Sequence, residues 1–379
     1  MTQRVLILGA GFSGLELATQ LSESLSDEVA VTVVDQAECF VFGFSKLDVM
    51  VGRQAAEDVR MYYRDFAKDG VEFRQETVTA IDPKARTVTT SANTYEPDVL
   101  VVALGADYEP EATPGFVEDG LEFYSIAGAQ RLRDALPSIT SGRVIVSILQ
   151  PPFKCPPAPY EGTFFLHDVF TERGVRDRID MHFITPMDSP IPVSPEASAA
   201  IIAGFDERGV SYDFGRRVTH LDPGTKTAHL ADGGTVSYDA FVGIPKHRVP
   251  TVVEESGLTK DGIDGWIHVD PRTLRTPYAG VYAIGDCADA PVPRAGVFAE
   301  TEAAIVADHI AADVRGDDSD ARFGGNGICY IEFGGGEVAR VDVDFLSGPA
   351  PTAPFTPASP EILREKYEGA DQRKVRWFS

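Results

Sequence analysis

Arg4-Val5-Leu6-Ile7-Leu8-Gly9-Ala10-Gly11-Phe12-Ser13-Gly14 is the stretch that decides the fold. The short apolar run up to Leu8 suits a strand buried on both faces of a parallel sheet. A glycine turn follows. Leu15, Leu17, Ala18 and Leu21 then lie on one face of a helix. Val29 to Val34 reads as a second strand, and it ends at Asp35. Strand, glycine turn, helix, strand, acid is the order that a dinucleotide requires. Gly9, Gly11 and Gly14 let the backbone approach a pyrophosphate at the positive end of the helix. Asp35, 21 residues after Gly14, is placed to accept hydrogen bonds from a ribose.

Outward from this unit the α/β texture continues. Ser45 to Phe66 is mixed and reads as helical in part. Phe73 to Thr90 reads as strands turning at Asp82-Pro83, and Asp98 to Leu104 as a further apolar strand. Pro110 and Pro114 mark a crossing between domains. A second α/β pattern then starts. Its strands are Arg143 to Leu149, Met181 to Thr185 and Val210 to Phe214, with helices around Glu161 to Arg173 and Pro195 to Glu207. Leu230 to Thr235 is a hairpin turn, and Val281 to Ile284 is an apolar strand closed by Gly285-Asp286. Strands at Cys329 to Phe333 and Val338 to Phe345, and a charged helix from near Pro360, finish the chain.

These patterns predict two Rossmann-like domains and a small C-terminal domain. The expected bounds are 1–110 with 240–320, then 111–239, then 321–379.

With 379 residues and 43% hydrophobic content, the chain has ample material for such cores. Its 58 acidic residues against 34 basic ones give a net charge of -24, which excludes nucleic acid as a natural partner. Only nine of the cations are lysine, a balance compatible with a salt-rich cytosol and equally with an ordinary acidic protein. No apolar run reaches the roughly 20 residues that span a bilayer. The first apolar run enters a glycine turn rather than a cleavage site, so a cytoplasmic location is expected. Four scattered cysteines (Cys39, Cys155, Cys287, Cys329) make neither a disulfide framework nor a zinc site.

Two later segments narrow the nucleotide. Val101-Val102-Ala103-Leu104-Gly105-Ala106 resembles the second glycine strand of the two-dinucleotide-domain flavoproteins, the glutathione-reductase-like group. Val281 to Ala288 resembles their late motif, whose Asp holds the ribityl chain of FAD. A helix beginning near Gly296 would turn its positive end to the flavin. The resemblance implies FAD held by Gly9, Gly11, Phe12, Ser13, Gly14, Asp35, Val78, Ala103, Gly105, Gly285, Asp286, Gly296 and Val297.

Relatives that use NADH or NADPH repeat the glycine fingerprint in the middle domain. Here the strand Arg143 to Leu149 runs into Gln150-Pro151-Pro152-Phe153-Lys154-Cys155-Pro156-Pro157-Ala158-Pro159-Tyr160-Glu161, which contains no glycine. Proline lacks the N–H that a pyrophosphate needs, so no nicotinamide nucleotide is expected there. Cys155 stands in the vacated place, at the C-terminal end of a strand, where open α/β sheets put their ligands.

That proline segment and Cys329-Tyr330 resemble the sulfide:quinone oxidoreductase and flavocytochrome c sulfide dehydrogenase family. The resemblance implies a redox disulfide between Cys155 and Cys329 beside the flavin, opened by hydrosulfide to a persulfide and a thiolate. Cys329 is then the flavin-adjacent sulfur and Cys155 the carrier of sulfane sulfur. Lys154 is expected to lower the pKa of its neighbour. Glu161 is either a proton relay or a carboxylate stabilised at a helix N-terminus. Cys287 reads as a packing residue and Cys39 as a loop thiol. The covalent flavin attachment of flavocytochrome c corresponds to Gly43 here, so noncovalent FAD is expected.

A quinone is the implied electron acceptor. The basic, aromatic ending Gln372-Arg373-Lys374-Val375-Arg376-Trp377-Phe378-Ser379 is either a peripheral membrane contact or a helix end with favourable cations. Two alternatives stay open: an NADH:quinone reductase of the same fold, and a redox-sensing flavoprotein without turnover.

Overall fold

A computed structural model describes residues 2–259 and 265–378. Two parallel five-stranded sheets dominate it. In the first, Gln3–Leu8 lies between Val29–Asp35 and Val99–Val102; Val71–Gln75 and Val281–Ala283 form the edges. In the second, Gly142–Ile148 takes the same central place. Ile179–Ile184 and Val210–Asp213 lie on one side of it, and Ala240–Ile244 and Gly120–Leu121 on the other. Each sheet thus places a central strand beside its two successors on one side and a later strand on the other, with Gly120–Leu121, an earlier strand, added at the edge of the second sheet. That order puts a crevice outside the carboxyl end of the first strand.

The apolar runs behave as their composition requires. Val5, Leu6, Ile7 and Leu8 are all buried, as are Val144, Ile145 and Val146. Burial of each such side chain stabilises by about 1.5–3 kcal/mol. Each domain also carries a three-stranded antiparallel sheet: Val78–Asp82, Thr87–Thr90 and Thr94–Tyr95 in the first, Val218–Asp222, Thr227–Leu230 and Thr235–Ser237 in the second.

Three expectations are adjusted. Ser45 to Phe66 holds one short α-helix, Ser45–Met50; the rest is a strand at Arg60–Tyr62 and a single turn at Tyr63–Asp65. Ala240–Ile244 belongs to the second sheet, because it pairs with Gly142–Ile148, so the return crossing follows residue 244 rather than 239. The two crossings pair with each other, Asp107–Glu109 antiparallel to Lys246–Arg248.

The third concerns the tail. A C-terminal sheet of Asn326–Glu332, Val338–Asp344 and Phe355–Thr356 precedes the helix Pro360–Phe378. That helix buries Ile362, Lys366, Ala370 and Trp377. Trp377 is fully buried, packs against Phe12, Phe40 and Phe42, and donates from Nε1 to Glu16 Oε2 at 2.8 Å. Arg376 pairs with Glu16 at 3.0 Å and Glu23 at 2.8 Å. Of this ending, Trp377 and Arg376 serve the protein's own packing: the indole is buried, and two carboxylates receive the guanidinium. Among the described residues no helix is long and apolar enough to cross a membrane.

Candidate active site

The three glycine motifs converge, and each glycine has a different physical reason. Gly9 has φ +101°, and a Cβ there would stand 2.2 Å from the Ala103 carbonyl oxygen. This ties the first turn to the strand Val99–Val102. A Cβ on Gly14 would lie 1.9 Å from the Gly9 oxygen, so helix and strand need bare backbone at that point. At Gly11 a Cβ would meet nothing within 4 Å. The first N–H groups of the helix Phe12–Leu25 have no intrahelical partner, and they face this open space. A Cβ on Gly285 would lie 2.8 Å from Ser13 Oγ, and one on Gly296 2.8 Å from the Phe12 ring.

A cleft of about 260 Å³ runs between the motifs. Gly11, Phe12, Ser13, Ala103, Gly105, Gly285, Asp286 and Gly296 line it, and Gly43, Lys154, Cys155 and Glu161 stand at its far side. Asp35 sits at the end of the second strand. Its Oδ2 accepts from the Ala10 N–H at 2.7 Å and its Oδ1 from Ala37 N–H at 2.8 Å, while burial raises its pKa. This open glycine turn, helix N-terminus and acid fit the diphosphate and ribose of FAD. Val78 starts the first antiparallel sheet and, like Gly9, Gly14 and Asp35, is not among the residues lining this cleft. Val297 follows Gly296 but lines the adjoining cavity instead.

The adjoining cavity, about 170 Å³, joins both cysteines: Cys155, Cys329, Glu161, Gly43, Gly296 and Lys366 line it. Both sulfurs are free thiols here. Cys155 is held with φ +51°; its N–H donates to the Arg294 carbonyl at 2.7 Å and its own carbonyl accepts from Ala158 N–H at 2.9 Å. Arg294 also donates from Nε to the Asp286 carbonyl at 3.1 Å and lays its guanidinium on Trp266, 3.6 Å from the ring centroid. One arginine therefore links the cysteine loop to the turn carrying Asp286. Cys329 comes from the strand Asn326–Glu332, opposite Val341. Burial pushes the Cys329 thiol up to about 12, with Glu161 adding to it. The Cys155 side chain is exposed to the cavity, which tempers the upward push on its thiol from the surrounding protein, Glu161 and Cys329; Lys366 opposes that push.

Lys154 does not act as expected. Its Nζ donates to the Ala106 carbonyl at 2.6 Å and lies 4.6 Å from the Tyr108 ring centroid. Lys366 and Arg373, both from the last helix, line the cysteine cavity, and Lys366 is the cation that opposes the rise at Cys155. Glu161 lies within the first turn of the helix Ala158–Glu172, as either reading required, but it is buried at 3% exposure. Its Oε1 accepts from the Glu332 N–H at 3.0 Å, and burial raises it to about 7. Burial thus places its titration near neutrality. Sequence reading missed Lys366, Glu332 and Arg294. Nothing local marks Lys366 except its spacing of four from Ile362 and Ala370, which puts it on the buried face of its helix. Cys287 is buried, as a packing residue should be, and Cys39 sits half-buried in Cys39–Val41, paired with Arg60–Tyr62. Cys39 does not line the cysteine cavity.

Comparison with known proteins agrees with this geometry. A sulfide:quinone oxidoreductase, mitochondrial, of Dictyostelium discoideum is 24% identical over 339 residues, covering 86% of this chain and 75% of its own. A sulfide-quinone reductase of Aquifex aeolicus (strain VF5) is 25% identical over 355 residues, covering 88% and 82%. The crystal structure of the Aquifex aeolicus sulfide:quinone oxidoreductase superposes with a TM-score of 0.90 at 22% identity, over 100% of this chain and 92% of that one, which shows a shared fold. Residues 3–146 and 169–307 match the pyridine nucleotide-disulphide oxidoreductase family, and the stretch left out between them is the one that holds the proline loop and Cys155. With both parallel sheets and the converging glycine motifs inside the matched segments, the chain belongs to the pyridine nucleotide-disulphide oxidoreductase family.

Proposed function

We propose that the protein oxidises sulfide at Cys155 and Cys329, using noncovalently bound FAD and a quinone as the final acceptor. The observation that carries this reading is the single cavity lined by both cysteines and Glu161 beside Gly43 and Gly296. It lies where the second domain lacks a nucleotide cradle. The two sulfide:quinone relatives favour the same substrates.

Hydrosulfide is already at the sulfide level, so it forms a persulfide only by attacking an oxidised pair, and the Cys155–Cys329 disulfide is the form attacked. Hydrosulfide attacks Cys155 Sγ, the Cys155–Cys329 bond breaks, and a persulfide remains on Cys155. Cys329 leaves poorly as a thiolate, because a leaving sulfur of high pKa departs slowly. Glu161, titrating at about 7, supplies the proton that makes it a thiol. A second hydrosulfide takes the outer sulfur as hydrodisulfide and leaves Cys155 as a thiol. FAD, held at the glycine turns, would supply the two-electron oxidation that recloses the disulfide, with a quinone as the final acceptor. Of the two protons released, Glu161 retakes one, so the cycle converts two hydrosulfides to one hydrodisulfide, one proton and two electrons.

Gly43 carries no side-chain sulfur for attachment, which supports noncovalent binding. The cavity shares Val297, Ile328, Tyr330 and Arg373 with a cleft of about 1040 Å³ along the last helix, but that cleft is lined by Asp342, Asp344, Glu361, Glu365 and Glu368, which do not suit an apolar quinone.

Anaerobic rapid mixing tests the assignment. Cys155→Ser and Cys329→Ser should each keep FAD yet lose flavin bleaching by sulfide. Bleaching at the wild-type rate in both variants would refute the disulfide mechanism.

A further inference from the structure

Three charged side chains meet under the cysteine cavity, and each is more than nine-tenths buried: Glu161, Glu332 and Lys366. Lys366 Nζ lies 2.7 Å from Glu332 Oε2 and 3.7 Å from Glu161 Oε1. Glu332 and Glu161 are themselves joined, through the Glu332 N–H. The three come from the C-terminal helix, the C-terminal sheet and the helix after the cysteine loop. Beyond them, Arg53 Nη1 reaches Glu332 Oε1 at 3.2 Å and Asp48 Oδ1 at 3.7 Å, with a side chain 39% exposed. On the cavity side Glu161 faces Cys155, Cys329 and Tyr124.

Such a cluster is a poor stability device. Desolvating a lysine and a glutamate costs about as much as their attraction returns, and apolar residues of similar volume usually do as well or better. Position 366 lies on the same buried face as Ile362 and Ala370, where a leucine or methionine would pack without that cost. Counting charges gives the cluster a use. Glu332 and Lys366 cancel. Glu161 then leaves the group neutral when protonated and singly negative when not.

We infer that Lys366 and Glu332 are positioning residues that fix how tightly Glu161 holds one exchangeable proton against the two cysteines. This rests on the sulfide reading for its use but not for its existence. The two partners pull in opposite directions. Lys366 favours the carboxylate and lowers the proton affinity of Glu161; Glu332 opposes it and raises that affinity. Burial pulls Lys366 itself down, but Glu161 and Glu332 outweigh that and hold it protonated. The lysine is therefore a fixed cation at neutral pH, and the proton that moves belongs to Glu161.

The test is an infrared pH titration of the oxidised holoenzyme, without sulfide, following the carboxylic C=O band that Glu161→Gln removes. Glu332→Gln should lower its midpoint, and Lys366→Gln should raise it, each by about one unit or more. Arg53→Gln, at a partly exposed site that should tolerate the change, is expected to raise it by less. Its titration decides the matter if the buried variants do not fold. Midpoints that stay at the wild-type value in all folded variants overturn the inference. The acid limb of sulfide-driven bleaching should move with the infrared midpoint. A band that shifts while the bleaching profile stays fixed supports the proton-holding unit and counts instead against Glu161 acting on sulfide.

Discussion

The two parallel sheets make the same turn twice, and the chemistry of the two turns is opposite. After Gln3–Leu8 the chain passes through Gly9 to Gly14, leaving N–H groups exposed and space at Gly11. After Gly142–Ile148 it passes through five prolines. Four of the N–H groups that remain are spent internally: Cys155 on Arg294, Ala158 on Cys155, and Tyr160 and Glu161 on Pro157. A helix N-terminus binds anions only when its donors are free. On the proposed reading, the same fold position is a diphosphate cradle in one domain and a rigid mount for a sulfur in the other.

The sharpest way to break this contrast is to put a methyl in the first turn and remove a proline from the second. Gly14→Ala places a carbon where only 1.9 Å separates it from the Gly9 oxygen, so FAD should be lost from the purified protein. Pro152→Gly should leave the FAD content unchanged. Stoichiometric FAD in Gly14→Ala, read from the visible spectrum, would break the assignment of the cradle.

The tail offers the next effect. Trp377 fills a cage of phenylalanines against the glycine turn, so Trp377→Ala should destabilise by about 3–5 kcal/mol in denaturant unfolding. A loss near zero would mean that the tail is not docked and is available for other surfaces.

A smaller effect separates the two domains by pH. Glu302 accepts from the Gly285 N–H behind the first cleft, and burial raises it to about 8. Its folded pKa thus exceeds its unfolded one. Its contribution is fully present below the unfolded value and is lost as pH rises through about 8. Glu302→Gln should flatten that decline, by an amount on the order of a few kcal/mol, between pH about 4.5 and 8. An unchanged pH–stability curve would remove Glu302 from the account.

The smallest effect is an expected null at Lys154. Because its ammonium is turned to Ala106 and Tyr108, Lys154→Met should leave the pH dependence of sulfide-driven bleaching as it is. A shift there would restore it as the activating cation in place of Lys366.

What could be read from the sequence follows from what kind of interaction is local. The glycine turn, its flanking strands and Asp35 are one contiguous segment, and the absence of glycine after Arg143 to Leu149 is equally local. The helix Pro195–Glu207 was legible to the residue because proline starts it and its apolar spacing is regular. The partners of Cys155 were not. Cys329 lies 174 residues away, and Lys366 is one charged residue in a charged helix, so its burial depends on what packs above it. The same blindness made Lys154, the cation adjacent in sequence, look like the activator. The tail stayed open between two readings for the same reason: a basic aromatic ending reads identically whether its tryptophan meets lipid or Phe12, Phe40 and Phe42.

One measurement bears most directly on the contrast between the two turns. Wild-type holoenzyme is mixed anaerobically with sulfide in one syringe and with NADH in another, and the flavin absorbance is followed. Rapid bleaching by sulfide, with no bleaching by NADH, is the result expected of a proline-and-cysteine turn that binds no nicotinamide. Bleaching by NADH with sulfide inert would contradict the account.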